Sequence, residues 1–280
     1  CRVVWQGIGQ VLAAPMPMFA KKIRVRVAPR PWSCVESSHS PLSVDSAMAR
    51  LPRLIIPHLP HYVIQRSSNR QPVFQDSSDY TQFLAWLKTG AKMFKVAIHA
   101  YVLLPDQLHL LATPGDATGL GQLMQWLGRY YVPYFNQKYG REGALWQGRY
   151  KTSVIDAEHF FLLSCHYLEM VPVRAGLAAQ PRDYPWSSHA YHAGLQPDPI
   201  VTDHALYWAL GNTPFDREAA YLRLVEQGLG GSQVKTLEAA VLKGWPLGSD
   251  AFKQALEVKM KRQVLPAKRG RPRKMAADIS

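Results

Sequence analysis

Two apolar runs separated by only two residues constrain this chain more than any other feature. Val96–Leu104 and residues 107–113 each have the composition of a strand, and Pro105-Asp106 between them is a turn dipeptide. So short a connection returns the second run antiparallel to the first. The flanking segments extend the pattern. Residues 54–66 are rich in Ile, Val and Tyr and read as a strand, with Pro57 and Pro60 marking an irregular start. Asp76 or Ser77 caps a helix that runs through Phe83, Leu84, Trp86 and Leu87 to about Phe94. Thr118 starts a second helix through Leu120, Leu123, Met124 and Leu127 to about Tyr139, where Gly140 and Gly143 break it. Residues 146–155 read as a loop leading into a fourth strand. Asp156 caps a third helix over 157–170, which Pro172 ends. The order strand–helix–strand–strand–helix–strand predicts an α+β fold: a ferredoxin-like, split βαβ antiparallel sheet with packed helices. The third helix is expected alongside that sheet. Short helices over 203–209, 216–226 and 249–261 form a small C-terminal part.

Charge narrows the partners. The chain carries 33 Lys and Arg against 20 Asp and Glu, a formal net charge of +13, which favours a polyanion. Eight basic residues and no acidic one lie between Lys259 and Lys274, whereas residues 49–195 hold 14 basic and nine acidic side chains. Much of the excess therefore belongs to a tail. Cys1, Cys34 and Cys165 make no disulfide framework, which points to a reducing, cytoplasmic setting. No run of about 18 apolar residues predicts a membrane span. The expected organisation is an extension or upstream translated sequence over 1–47, a main domain over 48–195, a small helical region over 196–261 and a basic, disordered tail over 262–280.

Several segments in order carry a more specific signal. They are His61-Tyr62-Val63 with Arg66 and Asn69-Arg70; Tyr101 to Leu111, containing Pro105-Asp106-Gln107-Leu108-His109; Leu145-Trp146-Gln147-Gly148-Arg149-Tyr150; Tyr167 to Leu177; and Tyr184-Pro185-Trp186-Ser187-Ser188. Over roughly residues 50–195 the chain resembles the REP-associated tyrosine transposases, among the single-tyrosine, insertion-sequence-200-like enzymes with a His-hydrophobic-His motif. The terminal Lys268-Arg269-Gly270-Arg271-Pro272-Arg273-Lys274 also resembles a feature of that group. The resemblance implies a partner in single-stranded or hairpin DNA from repetitive palindromes. It further implies cleavage of one strand with the 5′ phosphate held on a tyrosine, here Tyr167.

Such chemistry needs a nucleophile and an electrostatic clamp on the phosphate oxygens. A tyrosine hydroxyl both attacks and leaves, which suits a reversible cut-and-rejoin scheme. A hard Mg²⁺ or Mn²⁺ would polarise the phosphate. The strand period puts Gln107 and His109 on one face, as a metal-ligand pair, and Tyr167 and Val171 share a helix face. Two positions depart from the family: Gln107 stands where the resemblance implies His, and Val171 where it implies Asn. Asp106 and His61 are the candidate substitutes for the lost ligands. Arg149 and Arg174 are candidate phosphate contacts, since guanidinium forks match phosphate oxygens; Arg269, Arg271, Arg273 and Lys274 are candidate DNA contacts in the tail. Trp146 and Trp186 are expected to pack against the sheet rather than stack on bases. A non-catalytic DNA-binding protein on the same scaffold is the alternative, and an unrelated basic α+β domain a third.

Overall fold

The hairpin forms around Pro105-Asp106. In the computed structural model, which describes residues 53–260 and Val264, strands β2 (Val96–Leu104) and β3 (Gln107–Pro114) pair antiparallel with Leu104 opposite Gln107. Strand β1 (His61–Arg66) lies antiparallel to β3 on one side and to β4 (Lys151–Val154) on the other, giving the order β2-β3-β1-β4. This is the split βαβ arrangement. Strand β1 starts at His61, later than the composition of 54–66 suggests. Pro57 and Pro60 cannot donate to a ladder, and between them His58 adopts a left-handed φ of 63°.

A bulge sets which residues face which layer. His99 is the extra residue between the pairs Ile98↔Ala112 and Ala100↔Leu111. It shifts the alternation by one: Ile98, Tyr101 and Leu103 face one core, while Ala100, Val102 and Leu104 face the other. The His99 imidazole is held by the Thr202 carbonyl at 2.7 Å and the Thr113 hydroxyl at 2.8 Å.

The first face is covered by helices α1 (Ser77–Met93) and α2 (Gly119–Lys138). Phe83 and Leu87 of α1 and Leu120, Leu123 and Leu127 of α2 meet Val63, Leu108, Leu110 and Ala112 of the sheet. Each fully buried side chain of this size contributes about 1.5–3 kcal/mol. Asp76 caps α1 in a reciprocal box with Asp79. Lys138, at the end of α2, sits 2.7 Å from both carboxylates and joins the two helix ends. Trp186 stacks on Tyr80, ring centroids 4.5 Å apart, and Trp146 packs at the edge of the same core.

The second face carries helix α3 (Ala157–Glu169), followed by the one-turn helix α4 (Val171–Arg174). Pro172 does not end the helical path. It occupies the first turn of α4, where a missing N–H leaves no acceptor unsatisfied. The chain continues through α5 (His189–His192), α6 (Ala205–Trp208), α7 (Pro214–Gln227), α8 (Gly231–Lys243) and α9 (Asp250–Met260). Of these, α6, α7 and α9 answer to the expected short helices, whereas α5 and α8 are additions to them. Tyr207 of α6, Tyr221 of α7 and Leu237 and Val241 of α8 share one core with Tyr62, Ile64, Val102 and Leu168. The C-terminal helices are thus built onto the sheet. Asp156 holds the N-cap position of α3, but its carboxylate caps no backbone amide of that helix; it accepts from Ser249 at the head of α9 and lies 3.1 Å from His159 Nδ1. Among the described residues no helix is long and apolar enough to cross a membrane. The expectations for residues 1–47 and for the tail lie outside the described residues.

Candidate active site

The α3 face of the sheet carries the polar residues. Strand alternation puts Tyr62, Ile64 and Arg66 of β1 on this face, and pairing sets Ile64 opposite His109 and Arg66 opposite Gln107. Helix α3 lays Tyr167 over them, and Val171 follows one turn later. A cleft of about 340 Å³ is lined by Arg66, Gln107, His109, Tyr167, Arg174 and Glu238, with Val171 among its apolar wall residues. The structure therefore brings Gln107, His109, Tyr167 and Arg174 together. A second groove of about 570 Å³ shares Arg66, Gln107 and Ala175 with the cleft and adds Asn69, Arg70, Asp106 and Gln147. Asn69 and Arg70 both take left-handed backbone conformations, with φ of 55°. Such strain persists only where the surroundings enforce it.

His109 is buried, and its Nδ1 lies 2.9 Å from the Tyr62 hydroxyl. Its Nε2 is buried with no hydrogen-bond partner. Burial, aided by the Arg66 and Arg174 charges, lowers its pKa to about 3, so the ring is neutral. The Gln107 side-chain oxygen accepts from Arg66 Nε at 3.2 Å. Among the described residues no group of three or more His, Cys, Asp or Glu could hold a metal ion. The predicted ligand pair thus brings one imidazole nitrogen and one amide oxygen to a cleft that the Glu238 carboxylate also lines.

Tyr167 is 7% exposed. Its hydroxyl donates to Glu238 Oε1 of α8 at 3.1 Å. The Arg174 guanidinium lies 4.0 Å from the centre of its ring and donates to its backbone carbonyl at 2.6 Å. Burial comes first among the causes that push the Tyr167 pKa up to about 12; Arg174 opposes it and Glu238 adds to it. Arg66 and Arg174 are both exposed, so two guanidinium forks face solvent at the cleft.

Other candidates fall elsewhere. Arg149 is exposed in the loop before β4 and does not line the cleft. His61 lies on the opposite face, with Nε2 accepting from the Ile56 amide and Nδ1 bonded to the Leu59 carbonyl, and Asp106 lines only the adjoining groove. His166 is buried away from the cleft. Arg269, Arg271, Arg273 and Lys274 lie outside the described residues. Two cleft residues are not among the predicted site residues: Arg66, named only within the resemblance and placed here by the β1–β3 register, and Glu238, which depends on α8.

Residues 58–169, less than half of the chain, match the family described as Transposase IS200 like. The fold is similar to a solved REP-associated tyrosine transposase bound to a REP hairpin, at 19% identity and a TM-score of 0.43, over 56% of this chain and 93% of that one. It is also similar to a putative transposase from Deinococcus radiodurans R1, at 18% identity and a TM-score of 0.30, over 41% of this chain and 94% of that one. No curated protein matches. Residues 58–169, which include Gln107, His109 and Tyr167, are thus related at the level of the family to the IS200-like transposases.

Proposed function

We propose that this protein binds single-stranded or hairpin DNA and cleaves and rejoins one strand through a 5′-phosphotyrosine on Tyr167. The observation that carries this reading is the convergence of the Tyr167 hydroxyl, the His109 imidazole and the Arg66 and Arg174 guanidiniums on one cleft. Arg66 and Arg174 supply forked donors for a phosphate, and the contiguous groove with Arg70, Asn69 and Gln147 offers room for the strand on one side of it.

The orphaned His109 Nε2 and the Gln107 oxygen fit a divalent cation that draws its remaining ligands from phosphate and water. Mg²⁺ or Mn²⁺ would be held by these two residues and would polarise the scissile phosphate. Tyr62 orients the ring: with the Nδ1 proton directed at its hydroxyl oxygen, Nε2 presents a lone pair.

A second reading, DNA binding without cleavage, is favoured by Val171, which gives the cleft wall a side chain with no polar atom. End-labelled hairpin DNA incubated with the protein and Mn²⁺ separates the two. Cleavage predicts a denaturation-resistant protein–DNA adduct that Tyr167→Phe abolishes. Intact DNA binding with no adduct, both in the parent and in Gln107→His/Val171→Asn, supports the second reading.

A further inference from the structure

We infer that Glu238 takes the proton from Tyr167 during strand cleavage, an assignment that rests on the function proposed above. Phosphodiester cleavage by Tyr167 forms a bond from its Oη to phosphorus and breaks the bond from phosphorus to the 3′ oxygen. The departing 3′ oxygen takes a proton from water, and the phenolic proton must pass to a base. In rejoining, the 3′-hydroxyl attacks and gives its proton to the hydroxide left by that water, the bond from phosphorus to Tyr167 breaks and the phenolate recovers the proton from Glu238. Atoms and charge balance without a further co-reactant.

The geometry singles out Glu238. Its Oε1 is 3.1 Å from the Tyr167 oxygen, within reach for direct transfer, and among the described residues it is the acceptor for that hydroxyl. The other groups facing Tyr167 do not compete. Arg174 and Arg66 are cations, the Tyr62 ring packs edge-on against Tyr167, and His109 makes no hydrogen bond to the Tyr167 hydroxyl: its Nδ1 is engaged by Tyr62, and its free Nε2 is the nitrogen assigned above to the cation. Glu238 is itself exposed and can exchange its proton with water.

Helix α8 is fixed firmly enough to hold this contact. Leu237, Ala240 and Val241 bury one face of it against the second core, which leaves Glu238 at the edge of that face beside the cleft. Gly244 ends the helix in a left-handed turn, φ 72°, that a side chain would strain. Just beyond, the Trp245 carbonyl accepts from Ser153, and the Leu247 amide donates to the Val154 carbonyl at 2.8 Å. The carboxylate is thereby tied to β4, next to the strand that carries Tyr62 and Arg66.

The test is single-turnover adduct formation on labelled hairpin DNA with Mn²⁺, measured beside DNA affinity. Glu238→Gln keeps a carbonyl acceptor but loses the base, and should slow adduct formation about 100-fold or more without weakening DNA affinity. Glu238→Asp should recover part of the rate, and added formate should rescue Glu238→Ala, which a purely structural contact would not allow. A parental adduct with an unchanged or faster Glu238→Gln rate, or a slow Glu238→Ala that formate leaves slow, overturns the assignment and leaves cleavage by Tyr167 standing. Absence of an adduct from the parent overturns both.

Discussion

Glu169, two residues beyond Tyr167 on α3, is fully buried, and four donors converge on its carboxylate. Ser188 Oγ lies at 2.7 Å and His192 Nδ1 at 2.6 Å from one oxygen; His189 Nδ1 lies at 3.0 Å and Tyr221 Oη at 2.8 Å from the other. These bonds tie α3 to α5 and α7. Truncation by Glu169→Ala would leave four buried polar groups facing a void. Hydrogen bonds to a charged group are worth about 1.5–3 kcal/mol each, but they act as one network, and removing one partner of such a buried set costs about 3–5 kcal/mol. At about 2–4 °C per kcal/mol for a domain of this size, the melting temperature should fall by roughly 6–20 °C. Tyr221→Phe removes one donor and leaves the carboxylate its other three, so it should cost about 1.5–3 kcal/mol. Urea denaturation of parent and variants, with unchanged m-values, gives these differences directly. A Glu169→Ala cost below about 1 kcal/mol would show that the network does not hold the C-terminal helices to α3.

Acid should unfold the protein through its buried histidines. Burial is the first cause lowering the pKa of His61, His99 and His166 to about 4 each. Because these values lie below the unfolded value of about 6.5, the unfolded state binds more protons in between. Their contribution is fully present above about pH 6.5 and is lost as pH falls toward 4, at up to about 1.4 kcal/mol per pH unit for each group; equal urea midpoints at about pH 7 and 5 would refute this. Gln107→His with Val171→Asn should raise adduct yield at low Mn²⁺, since imidazole and amide ligands strengthen metal occupancy, and a yield that stays at the parental level would count against the metal assignment. Deleting residues 266–280 should weaken DNA binding and flatten its salt dependence by about 0.9 for each phosphate that the tail neutralises, in titrations from about 50 to 200 mM salt. An unchanged slope would mean that the tail neutralises no phosphate.

The sequence made local features legible and left long-range ones out of reach. Pro105-Asp106 marks the hairpin, Asp76 the start of α1, and strand alternation places Gln107 and His109 on one face, because each signal is complete within a few residues. Arg66 is visible as the end of a strand and as part of a motif, but its place opposite Gln107 comes from pairing residues 41 apart. The bulge at His99 depends on its partners Thr113 and Thr202. Helix α8 does carry a periodic signal in Val234, Leu237, Ala240 and Val241. Its meeting with Tyr167, 71 residues away, follows from tertiary packing alone. Asp156 shows the converse limit: its capping position is readable, while the diversion of its carboxylate to Ser249 is not.

The central claim is that Tyr167 becomes covalently linked to DNA. It is tested most directly by trapping the protein on hairpin DNA with Mn²⁺, digesting the DNA with nuclease and the protein with protease, and locating the nucleotide-modified peptide by mass spectrometry. The account predicts a 5′-phosphonucleotide on the oxygen of Tyr167, in a peptide of α3. Modification confined to another residue, or none under conditions where the DNA is bound, would contradict it.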